Sequence, residues 1–195
     1  MDIIYLGYKR TQVVIRRRND RSTLHSVTLE ATPDDRTVAR RAVEDAIKNG
    51  ICLDWADLSG LDLSGGQLSE GSFVDSDWRG TYCYRTNLDG ARVRGVVARG
   101  AVFLESSLRE AMIDEMRAQG AVFDGSDMEL VSARGALCDG ASLREVKLDR
   151  STWVGAKLRG VDTSMARGVE ALRGASVVDL SEETQTRELQ FEPAM

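Results

Sequence analysis

The sequence predicts a mainly β solenoid, in which a short extended segment turns a corner every five residues. Three observations predict it. From Ile51 to Glu170 the chain repeats in fives without insertion, the third residue of each five is apolar in all but the last two, and glycine occupies the fifth place twelve times. A helix needs a period near 3.6 and a strand a period near 2, so neither fits a strict five. A strict repeat of this kind is therefore a better guide to the architecture than the local propensity for helix or strand.

Two positions in each five are predicted to point inward. The third-position residues run from Leu53 to Leu158 as an apolar series, which ends at Thr163 and Gly168. First-position residues are mostly small or apolar, whereas second and fourth positions carry most of the charge. Glycine at the fifth position supplies the backbone freedom that repeated corners demand.

The fives ADLSG, LDLSG, TNLDG, ARVRG and AKLRG, followed by LRGAS, resemble the pentapeptide-repeat family. This resemblance implies a right-handed square β-helix with four fives per coil and about six coils, roughly 29 Å long at the usual strand spacing. Residues twenty apart should then stack. Phe103 falls over Phe123, and one column contains Leu68, Leu88, Leu108, Met128 and Leu148.

Residues 1–50 do not repeat and are predicted to form a separate N-terminal unit that begins with an antiparallel sheet. Asp2–Tyr8 and Gln12–Arg17 are rich in Ile, Val and Tyr, a turn candidate follows at Asn19-Asp20, and Leu24–Leu29 alternates loosely. Such runs, bounded by turn residues, are typical of short strands.

A capping helix should complete this unit, with Thr32 as N-cap, Pro33 at the first helical place and Gly50 beyond the end. Its apolar face would be Val38, Ala42, Val43, Ala46 and Ile47. Because an open β-helix end exposes unpaired backbone, we expect this helix to cover Leu53, Leu58 and Leu63. The order of sheet, helix and repeat is similar to the N-termini of some phage-encoded family members.

The repeat unit is predicted to span residues 51–180 and a C-terminal segment residues 181–195. After Glu170 the fives slip by one, because Ala175-Ser176-Val177 restores the inward pair only in a shifted frame. Ala171–Leu180 should form a final partial coil, and Thr184–Gln190 a short helix before a frayed tail.

Composition narrows the class of protein. The 195 residues carry a net charge of −5, and they contain no apolar run near the length of a membrane helix and no charged-then-apolar leader. We therefore expect a soluble cytoplasmic protein without a membrane partner. Cys83 and Cys138 fall at inward third positions and should be free buried thiols.

No constellation for catalysis is present in the sequence. The single histidine, His25, lies outside the repeat without a ligand cluster, and the glycines follow the five-residue period instead of a phosphate-binding motif. We therefore predict a non-enzyme with no catalytic residues, no cofactor and no metal. Arg16, Arg17 and Arg18 lack interleaved aromatic residues, so a solvated hairpin end is favoured over direct nucleic-acid binding.

The period assigns charges to the outer faces. The basic face, which lies over Trp78, Ala98, Ala118 and Leu158, displays Arg79, Arg99, Arg117, Lys157 and Arg159 against Asp57, Asp77 and Asp139. The first acidic face, over Leu63, Cys83, Phe103, Phe123 and Leu143, displays Asp62, Glu105, Asp124, Glu145 and Asp162 against Arg85 and Arg144. The second acidic face, over Leu88 and Leu108, displays Glu70, Asp89, Glu110, Asp127, Glu129, Asp149 and Glu170 against Arg109, Lys147, Arg150 and Arg167.

The resemblance implies one function for acidic faces, because several family members mimic duplex DNA and bind type II topoisomerases such as gyrase. The candidate contacts would include Asp89, Asp127, Glu129 and Asp149. B-DNA of about 29 Å would carry about seventeen phosphates, whereas the acidic faces hold twelve acids against six bases. The charge resemblance to DNA is therefore weak.

A competing function rests on outward positions that are apolar. Tyr82, Tyr84, Val102, Leu104 and Val122 cluster on the first acidic face, with Glu105 and Asp124 beside them. A cluster of exposed apolar side chains with a charged rim is typical of a protein-binding surface. An unidentified protein partner, a homodimer and coverage by the N-terminal sheet all remain open explanations of this apolar patch.

Overall fold

The computed structural model describes residues 1–6, 9–31 and 35–176, and most of them form a four-sided coil. Four columns of parallel bridges start at Asp57↔Asp77, Asp62↔Tyr82, Gln67↔Asn87 and Ser72↔Arg92, and each continues at intervals of twenty residues. Hydrogen bonds run both ways between coils. The Leu63 N–H donates to the Tyr82 carbonyl at 2.8 Å, and the Tyr82 N–H donates to the Leu61 carbonyl at 2.8 Å. The predicted period and stacking are thereby confirmed.

The interior is the apolar series of third positions. Every third-position residue from Leu53 to Leu158 is buried, whereas Thr163 and Gly168 are only partly so. Phe103 and Phe123 stack as predicted, with ring centroids 4.9 Å apart and planes 5° apart. Trp78, in the neighbouring column, lies 6.1 Å from Phe103, centroid to centroid, and adds a third ring to this aromatic cluster. Like side chains therefore pack over like side chains.

First-position hydroxyls satisfy the polar groups of this interior. The Thr86 hydroxyl donates to the Leu63 carbonyl at 3.0 Å, and Ser106 donates in the same way to Cys83, each one coil plus three residues earlier. Serine also accepts from the two buried indoles: Trp78 Nε1 donates to Ser76 Oγ at 2.7 Å, and Trp153 Nε1 to Ser151 Oγ at 3.0 Å. Buried polar atoms in the coil are thus paired.

The N-terminal unit opens with the predicted antiparallel sheet. Its strands are β1 (Asp2–Tyr5), β2 (Arg10–Arg16) and β3 (Thr23–Glu30), in the order β1-β2-β3. Strand β1 ends earlier and β2 begins earlier than predicted, and Gly7 and Tyr8 lie outside the described residues.

Helix α1 spans Val38–Lys48, so its start is later than the predicted Thr32 N-cap. Asp35 accepts hydrogen bonds from both the N–H and the hydroxyl of Thr37, at 2.9 and 2.6 Å. These bonds form a turn that immediately precedes the helix. Thr32 and Pro33 themselves lie outside the described residues. Gly50 closes the helix as predicted: its φ is 68°, and the Gly50 and Ile51 N–H groups donate to Ile47 and Ala46.

The N-terminal unit closes the open end of the β-helix. Val43 and Ala46 of α1 and Ile15 of β2 belong to the same buried core as Leu53, Leu58 and Leu63, in agreement with the predicted lid. Polar contacts hold the lid in place, because Arg40 Nη1 donates to the Ser64 carbonyl at 2.7 Å and the Gln67 N–H donates to Glu44 at 2.9 Å.

The predicted slip near the C-terminus is confirmed. A 3-10 helix at Val169–Leu172 interrupts the fives, after which Lys157 bridges Ser176, nineteen residues on instead of twenty. The rest of the predicted partial coil and the helix at Thr184–Gln190 lie outside the described residues.

Candidate functional site

The apolar patch lies on adjacent coils of the first acidic face. Tyr82, Val102 and Val122 form one bridge column, and Tyr84 and Leu104 lie two residues further along the same two coils as Tyr82 and Val102. Tyr82 is 41% exposed, whereas the other four side chains are half-buried. The structure thus brings together all five residues that the sequence placed there.

A charged group sits at the edge of the patch. The Arg85 guanidinium lies over the Tyr84 ring, 4.8 Å from its centroid, and its Nε donates to Glu105 Oε2 at 2.8 Å. The hydrogen bond that Arg85 donates to Glu105, together with the negative charge of that carboxylate, raises the pKa of Arg85. Tyr84 also donates its hydroxyl to Glu105, at 3.5 Å. The Tyr84 side chain therefore contacts both members of an ion pair at the rim.

A groove of about 410 Å³ continues from the patch towards the C-terminal coils. It is lined by Leu104, Glu105, Asp124, Gly125, Arg144, Glu145, Ser164 and Met165. Met165 is 79% exposed and places an apolar side chain at the far end of this groove. The sequence signal for it was a large apolar residue at the fifth position, where glycine or a charged residue is usual.

The Asp124 carboxylate is more buried and more fully hydrogen-bonded than the sequence predicted. Its side chain is only 13% exposed, and its carboxylate accepts from the Arg144 Nη2 at 2.7 Å and from the Ser142 hydroxyl. It also accepts from the Arg144 N–H at 3.2 Å. This carboxylate therefore joins two coils, whether or not it also contacts a partner.

The same bonding pattern recurs at fourth-position aspartates. Asp54, Asp89 and Asp114 each accept from a serine hydroxyl eighteen residues later and from a backbone N–H twenty residues later. A sequence search for aspartate followed by serine at this spacing would have found the pattern. Half-buried Asp89, a candidate DNA-mimic residue, is thus also part of the scaffold.

Bases on the second acidic face neutralise part of its charge. Asp127 Oδ2 accepts from Lys147 Nζ at 3.0 Å and from Arg109 Nη1 at 3.2 Å, and Arg109 also donates to Glu129 at 2.6 Å. Burial alone would raise the pKa of Asp127, but the Glu129 N–H, Lys147 and Arg109 together lower it. Asp149 lies half-buried on the same face. Several of the proposed mimic carboxylates are therefore already paired with bases.

The described part of the N-terminal unit contacts the first coil and leaves the patch uncovered. Its polar contacts to the repeat reach residues of the first coil, such as Arg18 N–H to the Trp55 carbonyl and Arg21 to Asp57. Tyr82 keeps its exposure beside them.

Features that would support catalysis are few. Among the residues described, no group of three or more His, Cys, Asp or Glu side chains could hold a metal ion. His25 contacts Asp45 at 2.7 Å and joins β3 to α1. Burial raises the pKa of the Cys83 thiol, and it raises that of Cys138 to about 12, whereas Cys52 is exposed. No helix in the described ranges has the length and apolarity needed to cross a membrane.

Comparison with known proteins relates the repeat to a family. Residues 86–125 match the family of Pentapeptide repeats, in eight copies. None of the curated proteins matches the sequence.

Two of the solved structures that resemble this chain are named as pentapeptide repeat proteins, and a third is named as a resistance protein. Rfr23 from the cyanobacterium Cyanothece 51142 is 18% identical, with a TM-score of 0.40, over 55% of this chain and 63% of Rfr23. A protein from the Arabidopsis thaliana thylakoid lumen is 26% identical, with a TM-score of 0.33, over 52% of this chain and 63% of that one. QnrB1, a plasmid-mediated fluoroquinolone resistance protein, is 14% identical, with a TM-score of 0.38, over 63% of this chain and 77% of QnrB1.

The chain thus spans less than two thirds of the length of the first two of these proteins. At TM-scores below 0.5, the likeness gives no basis for assigning the functions of these proteins to this chain. The family match and the twenty-residue bridge columns, however, agree on the repeat itself. The bridge columns show a β-helix of five-residue repeats from Leu53 to Ser176, and the family match covers residues 86–125 of it.

Proposed function

We propose that this β-helix is a non-enzymatic binding protein that recognises a protein partner through its outer surface, centred on the apolar patch. The observation that carries the proposal is the cluster of Tyr82, Tyr84, Val102 and Leu104 on adjacent coils, beside a groove with a largely charged lining that ends at the exposed Met165. Exposed aromatic and aliphatic groups rimmed by charge characterise protein interfaces.

The charged residues at the edge of the apolar patch would contribute more to the specificity of partner binding than to its affinity. Glu105 and Arg85 form an exposed ion pair, which contributes little net stability in water because solvent and salt screen it. A partner that covers the patch would desolvate this pair and the Tyr84 side chain that contacts both of its members. Charge complementarity at that point would then select the partner, whereas apolar burial would supply most of the binding energy.

Affinity capture with matched variants tests this function. The patch variant is Tyr84→Glu with Leu104→Glu, and the control is Met112→Glu with Val154→Glu, which places the same charges on apolar side chains exposed elsewhere. We expect a protein that the wild type and the control retain and that the patch variant loses. A patch variant that retains the same proteins as the wild type would contradict the proposal.

A gyrase-type DNA mimic is a second candidate, favoured by the acidic faces. The wild type should then inhibit gyrase supercoiling. Replacing Asp89, Asp127, Glu129 and Asp149 with lysine should abolish that inhibition. The pairing of Asp127 and Glu129 with Arg109 counts against this candidate, because a bound carboxylate presents less charge to a partner. A wild type without effect on supercoiling or DNA cleavage at tens of micromolar protein removes it.

Self-association through the patch is the third candidate. Sedimentation should then give a dimer for the wild type and a monomer for Tyr84→Glu with Leu104→Glu. A wild type that stays monomeric up to about 100 µM, where even weak contacts are populated, points to a foreign partner instead.

A further inference from the structure

The basic face carries a second groove, of about 470 Å³, where the N-terminal unit meets the repeat. It is lined by Arg18, Asn19, Trp55, Asp77, Arg79, Val97, Arg99 and Arg117. Backbone contacts fix the junction, because the Arg18 N–H donates to the Trp55 carbonyl at 2.7 Å and Arg17 bridges Ala56. The groove therefore needs both units.

Positive charge in this groove is mostly unneutralised. Its lining contains four arginines and one carboxylate, Asp77, which binds Arg79 through two hydrogen bonds of 2.9 and 2.6 Å. Arg99 donates to the uncharged Gln119 at 3.2 Å. No partner of the Arg117 guanidinium is found in the part of the chain that the structure describes. Three arginines of the acidic faces, Arg85, Arg109 and Arg144, each bind a carboxylate instead.

The acids of the second acidic face contribute little to the field at this groove. The second acidic face lies on the opposite side of the four-sided coil, and charges separated by more than a Debye length of about 8 Å are largely screened at physiological salt. The corner between the basic face and the first acidic face consists of Gly80, Gly100 and Gly120, which have open space at the Cβ position. That edge of the groove is therefore uncharged and unobstructed.

Trp55 provides an aromatic platform at one end of the groove. It is 41% exposed, whereas Trp78 and Trp153 are fully buried. Its φ of 63° is left-handed, and among the described non-glycine residues with positive φ it is the one aromatic. Its N–H donates to the Val74 carbonyl at 2.8 Å, and the Arg18 guanidinium lies over the ring, 5.2 Å from the centroid. The ring is thus held in place next to cations.

We infer that this groove binds single-stranded nucleic acid, with a base stacked on Trp55 in place of the Arg18 guanidinium and with phosphates on Arg18, Arg99 and Arg117. A positively charged groove beside an aromatic ring is the general arrangement for single strands, because every base has a face that can stack. Duplex DNA keeps its bases stacked inside and cannot use the ring. From Trp55 to Arg117 the groove crosses three coil spacings, about 14 Å, so it fits a short stretch of backbone.

Binding of a fluorescent oligothymidylate, followed by anisotropy, tests the inference. The variants are Trp55→Ala, Trp55→Phe, and Arg99→Glu with Arg117→Glu. The matched control is Arg150→Glu with Arg167→Glu, the same charge change at exposed residues of the opposite side. We expect about a tenfold or greater loss of affinity for Trp55→Ala, as for removal of one stacked base. We expect a larger loss for the groove pair, and a change within about twofold for Trp55→Phe and the control pair.

Two further measurements distinguish base stacking on Trp55 from non-specific electrostatic attraction. The fluorescence of Trp55 should be quenched on binding, and the quench should disappear in Trp55→Phe. The logarithm of the affinity should fall against the logarithm of salt concentration with a slope of about −2, as for three phosphates of a single strand.

Three results would overturn the inference. One is the absence of wild-type binding at about 100 µM, the weak end of non-specific binding. Another is an equal loss in the control pair. The third is a combination of two observations: polyglutamate displaces the labelled oligothymidylate as effectively as unlabelled oligothymidylate does, and Trp55→Ala has no effect on binding. That result would assign the groove to acidic protein segments.

Discussion

A serine two residues before each buried tryptophan completes the hydrogen bonding of the coil interior. Ser76 and Ser151 each accept from an indole and donate to a carbonyl three residues earlier, so one hydroxyl serves both groups. The coil can therefore hold a tryptophan at a third position without an unpaired N–H.

Replacement of Ser76 by alanine should lower the free energy of unfolding by about 1–3 kcal/mol, because it leaves the buried Trp78 N–H without its acceptor. The measurement is urea denaturation of Ser76→Ala, Trp78→Phe and the double variant. The loss caused by Ser76→Ala should be smaller in the Trp78→Phe background, and an equal loss in both backgrounds would show that the indole bond contributes nothing.

The stacked phenylalanines should dominate local stability. Phe103→Ala should cost about 3–5 kcal/mol, because it opens a cavity between Trp78 and Phe123 that the rigid coil cannot close. Arg92→Ala, at an exposed second position, should change stability within about 0.5 kcal/mol. Similar midpoint shifts for the two variants in denaturant would contradict the assignment of inward and outward positions.

Asp127 should make stability depend on pH in the acid range. Its folded-state pKa lies below the ordinary value of 3.8, so its charged form stabilises the fold above about that pH, and this contribution is lost as the pH falls through the folded-state pKa. Asp127→Asn should be less stable than the wild type at pH 7, and the gap should narrow below about pH 3.8. A gap that stays constant from pH 7 to about pH 2.5 would contradict this role.

At the scale of elements, the N-terminal unit acts as a lid on a stack of coils. Each coil contacts only its neighbours, so a weakened lid should loosen the nearest coils first. Val43→Ala tests this, because Val43 is buried against the first coil whereas Lys48 of the same helix is exposed and provides the control.

Hydrogen exchange of Val43→Ala should show lower protection at the amides of Leu58 and Leu63, which donate to the next coil. The amide of Phe123, three coils away, should keep its protection, and Lys48→Ala should match the wild type throughout. Loss of protection spread evenly from Leu58 to Phe123 would mean that the lid and all coils open as one unit.

The sequence predicted the elements that a strict period or a local signal specifies. The stacking of Phe103 on Phe123, the slip after Glu170 and the Gly50 helix end were all visible in it. The start of α1 was predicted wrongly, because the Asp35 turn competes with the nearby Thr32-Pro33 signal.

The two grooves and the aspartate pairing could be predicted only in part. The fives placed Asp124 outward, yet a count of charges cannot show that its carboxylate binds Ser142 and Arg144 on the next coil. The groove at Trp55 depends on how Arg18 docks on the repeat, and no periodicity specifies a contact between two different units.

At the scale of the whole molecule, the square cross-section gives each side its own chemistry. One side carries the apolar patch, the next carries paired acids, and the side opposite those acids carries the arginine groove. Because the interior is occupied by stacked side chains, binding must use these outer surfaces. The central claim is that the apolar patch is the surface that a protein partner contacts.

Photo-crosslinking from a single position tests that claim most directly. A benzoylphenylalanine would replace either Tyr82, in the patch, or Met112, on another face, and both native side chains are 41% exposed. In cells that naturally make the protein, we predict a crosslinked species of one defined mass from position 82 and none from position 112. The absence of a crosslink at position 82, or the same crosslinks from both positions, would contradict the claim.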